Sequence, residues 1–464
     1  MSLFTGLLAC MLALGVFAAL RLRGPLYNLI VVAARLMWTS WVFLRLGLRL
    51  LVQRLAGQTA NMPVLLRDAF EELGPTWVKL AQLLASSHGL VPERYRRELE
   101  RTLDRVRPLP FFLVATVIEE ELGPIPARFT SIEPLELAAA SIAQVHRAVL
   151  SDGRVVALNV QRPGIHARVH ADLMILTVLA RVAERLPLFR LANPRAVVDD
   201  LARTLGDELD FLREADHLDE FNRWVTELGH DDVRAPRVIR EVSTRRVLAM
   251  EFFDGVRIDD VRAVAQRGFD GEERLVSGMR AWFRVLLLRG FFHGDVHAGN
   301  LLILADGSIG FLDFGIIGRL DLPTRRHLAE LLASALTGNF TGLASTLVAL
   351  DAVSGPKPNQ PGTPPNPPNL TTDLATDLAA LVEPLRRQGL ADIRLAELLP
   401  EILRVAARHK LRLPRALVLV AKQLLYFDRY GKLLAPGLNV FADPRLVGSL
   451  LPDLLAVKTH PDIP

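Results

Sequence analysis

Two acids and one amide, set along a single short stretch, are the residues of this chain best spaced to do chemistry together. The stretch runs from Gly290 to Gly315, GFFHGDVHAGNLLILADGSIGFLDFG, and holds Asp295, Asn300 five places later, and Asp313 within Asp-Phe-Gly. Two apolar runs, LLIL and IGFL, lie between Asn300 and Asp313, separated by Asp306-Gly307, which is a hairpin signal. A hairpin of that length returns both ends of the stretch to one edge, so the three side chains can converge. The chemistry that such a grouping suits is phosphoryl transfer. One carboxylate orients or deprotonates the nucleophile, while an Asn oxygen and a second carboxylate hold the Mg²⁺ that neutralises the transferring phosphate.

Asp-Phe-Gly alone or His-Gly-Asp alone is a weak signal; their ordered combination around a hairpin is specific. His293 and His297 flank Asp295 and are expected to organise the loop by hydrogen bonding, with zinc ligation as the alternative. The elements that must position this stretch have ample material: 464 residues, half of them hydrophobic, suffice for two or three structural units. The single cysteine, Cys10, excludes a disulfide framework and a thiolate metal cluster. Net charge is only +4, with acids interleaved among the arginines, which argues against nucleic acid as a partner. Of the 55 basic residues six are lysines: Lys79, Lys357, Lys410, Lys422, Lys432 and Lys458.

The chain opens on an uncharged apolar run, Leu3 to Leu20, ending at Arg21 and Arg23. It has no basic segment before it and no small-residue cleavage pattern, so it reads as a retained membrane anchor with the rest of the chain on the cytoplasmic face. From Leu26 to Arg54 a second apolar segment is interrupted by arginines. Asn28, Arg35, Thr39, Arg49 and Gln53 fall near one line of a helical wheel, with Arg45 beside it. That pattern predicts a helix in the membrane interface, its arginines at the lipid headgroups and Trp38 and Trp41 at the boundary, with a helix of a soluble bundle as the alternative. The C-terminal region carries no long uncharged apolar run.

Further motifs carry a family resemblance. Lys79-Leu80-Ala81-Gln82 lies in a charged helical segment after Gly74-Pro75; Ala138-Ala139-Ala140-Ser141 lies between strand-like runs of Phe129 to Gln161; Glu208-Leu209-Asp210 lies in a later helical pattern. Together with the 290–315 stretch these resemble the UbiB-type atypical protein kinase family associated with ubiquinone and other isoprenoid-quinone metabolism. The five-residue spacing of Asp295 and Asn300 is that of the kinase catalytic loop. The resemblance implies that Asp295 is the catalytic base and that Asn300 and Asp313 bind Mg²⁺. Lys79 and Gln82 match the family's Lys-x-Gly-Gln, with Ala81 for its glycine, and are implied to lie on a helical lid over the active site. That lid favours ATPase-like or small-molecule work over protein phosphorylation. The alanine loop, Ala138 to Ser141, takes the place of a glycine-rich phosphate loop, and alanine narrows its backbone choices. Met250 and Phe252, in the strand between lobes, are implied to line the adenine side.

One position departs from the pattern. The family's Val-Ala-Val-Lys-Val is here Val156-Ala157-Leu158-Asn159-Val160, so Asn159 stands where a lysine bridges the α- and β-phosphates and a helix glutamate. One lost charge pair at 4 Å is worth roughly 4 kcal/mol at an effective dielectric near 20. No lysine occurs from Leu80 to Gly355, so only Lys79 or an arginine can take over. Glu208, whose partner is missing, is expected to repel phosphate, become protonated or swing outward. The catalytic loop has also lost both prolines of the family's HADPHPGN, which is expected to loosen it.

The expectation is therefore an α+β, mostly helical, bilobal protein-kinase-like fold with a helical extension and a membrane anchor. Its domains are an anchor at 1–24, the extension at 25–112, an N-lobe at 113–254, and a C-lobe at 255–464 with a Pro-rich excursion at 355–369. The expected cofactors are ATP or ADP with Mg²⁺. The expected partners are a membrane lipid or isoprenoid-quinone precursor, with room for lipid-biosynthesis proteins and a second copy of the chain. Two rivals stand beside an active kinase or ATPase: a pseudokinase scaffold, favoured by Asn159, and a small-molecule phosphotransferase of the aminoglycoside type.

Overall fold

The computed structural model describes residues 25–57, 61–86, 91–102, 107–186, 193–354, 369–382, 401, 404–405, 408–409, 411, 415–438 and 443–459. The expected anchor at 1–24 and all but the last residue of the Pro-rich segment 355–369 lie outside them. The chain forms two units, one of residues 1–213 and 239–251, the other of 214–238 and 252–464.

The first unit begins with helices α1 (Pro25–Leu55), α2 (Met62–Leu73), α3 (Pro75–Ser86), α4 (Glu93–Leu99) and α5 (Phe111–Leu122). Strands β1 (Phe129–Ala139), β2 (Ala143–Leu150) and β3 (Val155–Gln161) follow, then α6 (Ile165–Ala183), α7 (Pro194–Glu208) and α8 (Phe211–Glu227), which carries the chain into the second unit. There β4 (Val233–Arg234) forms, and β5 (Val247–Glu251) returns to the first unit to complete an antiparallel sheet in the order β1-β2-β3-β5. Val156, Leu158 and Val160 of β3 alternate onto one face, where α5 covers them with Val114, Val117 and Ile118. A separate helical core gathers Val42, Leu73, Trp77, Ala81, Ile175 and Leu201.

Within this core α1 is oriented opposite to the expectation. Part of the polar line of the wheel, at Arg35 and Thr39, faces protein, while Arg49 on the same line is exposed. Arg35 Nε and Nη2 donate to the two carboxylate oxygens of Asp172 on α6 at 2.8 and 2.9 Å, and Nη2 also donates to Leu73 O at 2.9 Å. Arg45 pairs with Glu72, Thr39 is buried, and Trp38 packs on the helical core. The physical reason is pairing: a bidentate guanidinium–carboxylate contact and a helix-terminal carbonyl satisfy Nε and Nη2 of Arg35. Arg168 also donates to Leu73 O, at 2.9 Å, and its burial pushes its pKa down to about 10. Gly74, at φ +95°, leaves the space that this guanidinium fills.

The second unit continues with β6 (Gly255–Arg257), α9 (Val261–Gln266), α10 (Gly271–Arg289), β7 (Phe291–His293), β8 (Leu301–Leu304), β9 (Ile309–Phe311) and β10 (Ile317–Arg319). It ends with α11 (Leu322–Thr337), α12 (Phe340–Ser354), α13 (Leu370–Val382), α14 (Arg415–Leu434) and α15 (Pro444–Thr459). Its sheets are β4-β9-β8-β6 and the pair β7-β10. The Asp306-Gly307 hairpin forms as expected: Asp306 Oδ1 accepts from Ser308 N at 2.9 Å, and Gly307 takes φ +81°. Helix α10 is capped by Asp270 at one end and Gly290 at the other, and buries Trp282 and Leu286 beneath the loop that follows β7.

Asp172 is fully buried, so removing one partner of its pair strands the other. Asp172→Ala is expected to cost about 3–5 kcal/mol in urea unfolding followed at the first unit's tryptophans, whereas Arg35→Met with Asp172→Leu recovers most of it.

Candidate functional site

The second unit brings Asp295, Asn300 and Asp313 to one place through a short set of hydrogen bonds. His293, fully buried, is the joint. Its Nδ1 accepts from Asp295 N at 3.0 Å, and its Nε2–H donates to Leu312 O at 2.8 Å, one residue before Asp313. A backbone N–H faces one ring nitrogen and a carbonyl faces the other, so the neutral Nε2–H tautomer is the one both partners require. Burial also holds its pKa below the ordinary histidine value. Leu312 N donates to Asn300 O at 2.8 Å, closing the base of the hairpin. Phe314 stands edge-on to the His293 ring with centroids 4.7 Å apart, and Phe221 of α8 covers Phe311 and Phe314.

The side chains are then left with defined spare atoms. Asn300 donates from Nδ2 to Asp295 O at 3.0 Å, which turns its amide oxygen into the atom available to a cation. Asp313 has φ +57°, a left-handed conformation costly for a residue with a Cβ, and its Oδ1 accepts from Gly315 N at 3.2 Å. Such strain is held in place only where the surroundings over-determine it, here by the Leu312 bonds on one side and the Gly315 turn on the other. An amide oxygen and one carboxylate are what Mg²⁺ takes from protein when phosphate oxygens and water supply the rest. Among the described residues no group of three or more His, Cys, Asp or Glu side chains could hold a metal, so the zinc alternative for His293 and His297 finds no support. His297 Nδ1 accepts from Gly299 N at 3.0 Å, an organising role.

Helix α14 supplies contacts that the sequence reading missed. Lys422 Nζ donates to Asp295 Oδ1 at 3.0 Å. Gln423, fully buried, accepts from Val296 N at 2.9 Å and donates to Gly294 O at 2.6 Å, while Tyr430 Oη donates to Val296 O at 2.9 Å. The loop without prolines is thus not loose; side chains from α14 bind both of its edges. Lys422 is one of six lysines, and the scarcity that drew attention to Lys79 applies equally to it.

The other predicted site residues lie in the first unit, apart from Phe252, which begins the second unit's return segment. Lys79 on α3 forms an ion pair with Glu208 at the end of α7. This corrects the expectation for Glu208, which does not turn outward: with the strand lysine absent, the helix lysine is its counter-ion. Gln82, one turn on, is half-buried. Asn159 sits mid-strand, opposite Val145 and Leu248, and its Oδ1 is buried without a hydrogen-bond partner. The alanine turn is built without a left-handed residue. Ala140 N donates to Ala143 O at 2.9 Å, and Arg162 Nε holds Ala140 O at 2.9 Å. Ala138 and Ala140 are exposed, Ala139 is partly so and Ser141 is buried. Met250 is nearly buried in β5.

Comparison with known proteins follows the same lines. A profile of the ABC1 atypical kinase-like domain matches residues 101–347, and one of the UbiB helical domain matches residues 378–439, which contain Lys422, Gln423 and Tyr430. The chain is 40% identical to an uncharacterized protein of Mycobacterium tuberculosis over 90% of its own length and 84% of that protein's. It is 35% identical to an uncharacterized chloroplastic aarF domain-containing protein kinase of Arabidopsis thaliana, covering 83% of this chain and 74% of the relative. It is 32% identical to a probable protein kinase UbiB of Xanthomonas campestris, covering 86% and 74% respectively. The fold is kinase-like and mostly helical.

Two outcomes test the joint. Gln423→Leu leaves Val296 N–H and Gly294 C=O buried without partners, at about 1–3 kcal/mol each, and hydrogen exchange at 293–300 is expected to accelerate accordingly. Acid should also loosen the second unit. His293 is held below its unfolded pKa, and His230, buried beside Arg284, is pushed down to about 4. The unfolded chain binds protons below about 6.5 where these rings do not, so their stabilisation is complete above that pH and lost as pH falls toward 4. Denaturant midpoints measured from pH 7 to 4.5 should fall, and fall less in His230→Gln.

Proposed function

The chain belongs to the ABC1/UbiB atypical kinase-like family, and on that premise we propose that it binds adenine nucleotide with Mg²⁺ and supports ubiquinone or other isoprenoid-lipid metabolism at a membrane. The observation that carries this reading is the convergence of Asp295, Asn300 and Asp313 around the His293 joint. Asn300 Oδ1 and the Asp313 carboxylate are the protein's ligands for the ion, which when bound neutralises charge on the transferring phosphate. Asp295 orients the nucleophile and accepts its proton, and Lys422 fixes which of its oxygens is free for that role. The first unit's candidate nucleotide contacts are those that the family resemblance implies, the Ala138 to Ser141 loop for phosphate and Met250 for the adenine.

Asn159 makes the nucleotide affinity modest. Its amide, turned over, offers an NH₂ donor to a phosphate oxygen, but a neutral donor replaces an ammonium. Lys79 does not fill the gap while it is paired with Glu208. The name UbiB in relatives supports the quinone assignment, and the apolar runs near the N-terminus support a membrane-anchored chain with its catalytic units on the cytoplasmic side. A scaffold that does no phosphoryl transfer is the second reading, favoured by Asn159 alone.

Calorimetry with Mg-ATP and Mg-ADP decides between them. Wild-type binding is expected to be weak, to strengthen by at least about tenfold and up to about 10³-fold in Asn159→Lys, and to lose its magnesium dependence in Asp313→Asn. Absence of binding in every variant assigns the chain to the scaffold reading. Tight binding indifferent to Asn159→Lys means that Lys79 or an arginine has replaced the strand lysine.

A further inference from the structure

Helix α1 is long and apolar enough to cross a membrane by length and composition. Its contacts point to a different use. Arg35 is held at both ends of its guanidinium by buried Asp172 and by Leu73 O, so a crossing α1 must give up α6 and strand two charges. With Arg35 turned inward, the opposite side carries Leu36, Leu44, Leu48, Leu51 and Leu55 in the open, Leu44 at 56% and Leu55 at 78% exposure. The last four are spaced four, three and four residues apart, one ridge of a helix. From Leu29, itself exposed, to Leu55 the ridge is about 39 Å long at 1.5 Å per residue. Helix α6, which packs along α1, has its own exposed line of Met174, Val178 and Val182.

The solvent-exposed charges on these two helices have one sign. Helix α1 contains four arginines and no acid, and the one acid of α6 is Asp172, buried in the pair. Arg49, Arg54 and Arg181 are exposed and form no ion pair among the described residues. Long apolar ridges edged by unpaired cations, and free of exposed acids, match the surface of a bilayer with anionic headgroups, the chemistry by which in-plane helices bind. A protein partner would have to present a long apolar groove lined with acids. In sequence, the apolar run Leu3 to Leu20 ends shortly before α1 begins, so this face follows directly on the segment expected to reach lipid.

We propose that α1 and α6 form the face on which the first unit lies against an anionic membrane, α1 running in the plane of the surface and not across it. This rests on the membrane reading given above, and the test separates the two. The full chain with Cys10→Ser carries one cysteine at a time, from Leu44→Cys, Leu48→Cys, Val178→Cys or, as a control on the β2–β3 turn, Ser151→Cys, each labelled with an environment-sensitive fluorophore. Each is measured lipid-free, and with vesicles of phosphatidylcholine alone or with phosphatidylglycerol that carry a lipid-borne quencher. The expected result is a blue shift and loss of emission at the first three positions with phosphatidylglycerol, and no change at Ser151→Cys. A chain that floats with vesicles while all three labels stay in water overturns this face and leaves the membrane reading intact; a chain that does not float overturns both. Labels already shielded without lipid overturn the proposal too, in favour of the N-terminal segment if shielding is independent of protein concentration and of a second copy if it grows with it. Equal quenching without phosphatidylglycerol overturns the role of the arginines.

Discussion

His293 can join the two arms of the Asp295–Asp313 stretch only while it is neutral and carries its proton on Nε2. A backbone N–H must find a lone pair at Nδ1, and a carbonyl must find a proton at Nε2. Full burial enforces the neutral form, and the Phe314 ring across it excludes the water that could substitute for either bond. Through this one ring the position of Asp295 and the position of Asp313 become a single variable. The strained φ of Asp313 follows, because its predecessor is held by His293 and by Asn300 at once. So does the demand on α14: beyond the bonds that His293 and Asn300 make to Asp295, side chains of Lys422, Gln423 and Tyr430 hold Asp295, Gly294 and Val296 in place.

Lys79 meets Glu208 in the first unit and Lys422 meets Asp295 in the second, and the first pairing has an electrostatic consequence. Glu208 at the end of α7 requires a counter-ion in a partly buried setting; Lys79 provides it, and β3 is left with a neutral side chain. The ion pair that satisfies Glu208 does nothing for Asn159, whose side-chain carbonyl oxygen is buried without a donor. Such an atom costs about 1–3 kcal/mol unless something donates to it or the amide turns. That cost is carried at the point of the sheet where the family places its phosphate contact, which is where stability is most often given up for binding.

Features set by local sequence were legible in it: the hairpin from Asp306-Gly307, the three strands from Phe129 to Gln161, and the order of Asp295, Asn300 and Asp313. What was not legible depended on partners far along the chain. Gln423 lies 129 residues from Gly294, and no periodicity links them. Lys422 was within reach of inference, because a lysine in an arginine-rich chain is informative wherever it falls, yet its helix carries no motif that singles it out. Glu208 departs from expectation for a simpler reason: its partner comes from helix α3, and not from the strand where the family places it.

The orientation of α1 shows where pattern reading stops. A helical wheel divides a sequence into faces, and it divided this one correctly, with Arg35, Thr39 and Gln53 on one line. It says nothing about which face meets protein. An apolar face and an arginine face can each be the buried one, and the decision is made by what the arginines find. Here a carboxylate on α6 and an unsatisfied carbonyl at the end of α2 lie within reach, and both are better partners for a guanidinium than water is once the helices close. The leucines are then left outside by the same contacts that bring Arg35 in. An inward arginine and an outward leucine ridge are two results of one pairing, which is why Asp172, a single buried acid, governs the surface that this unit presents.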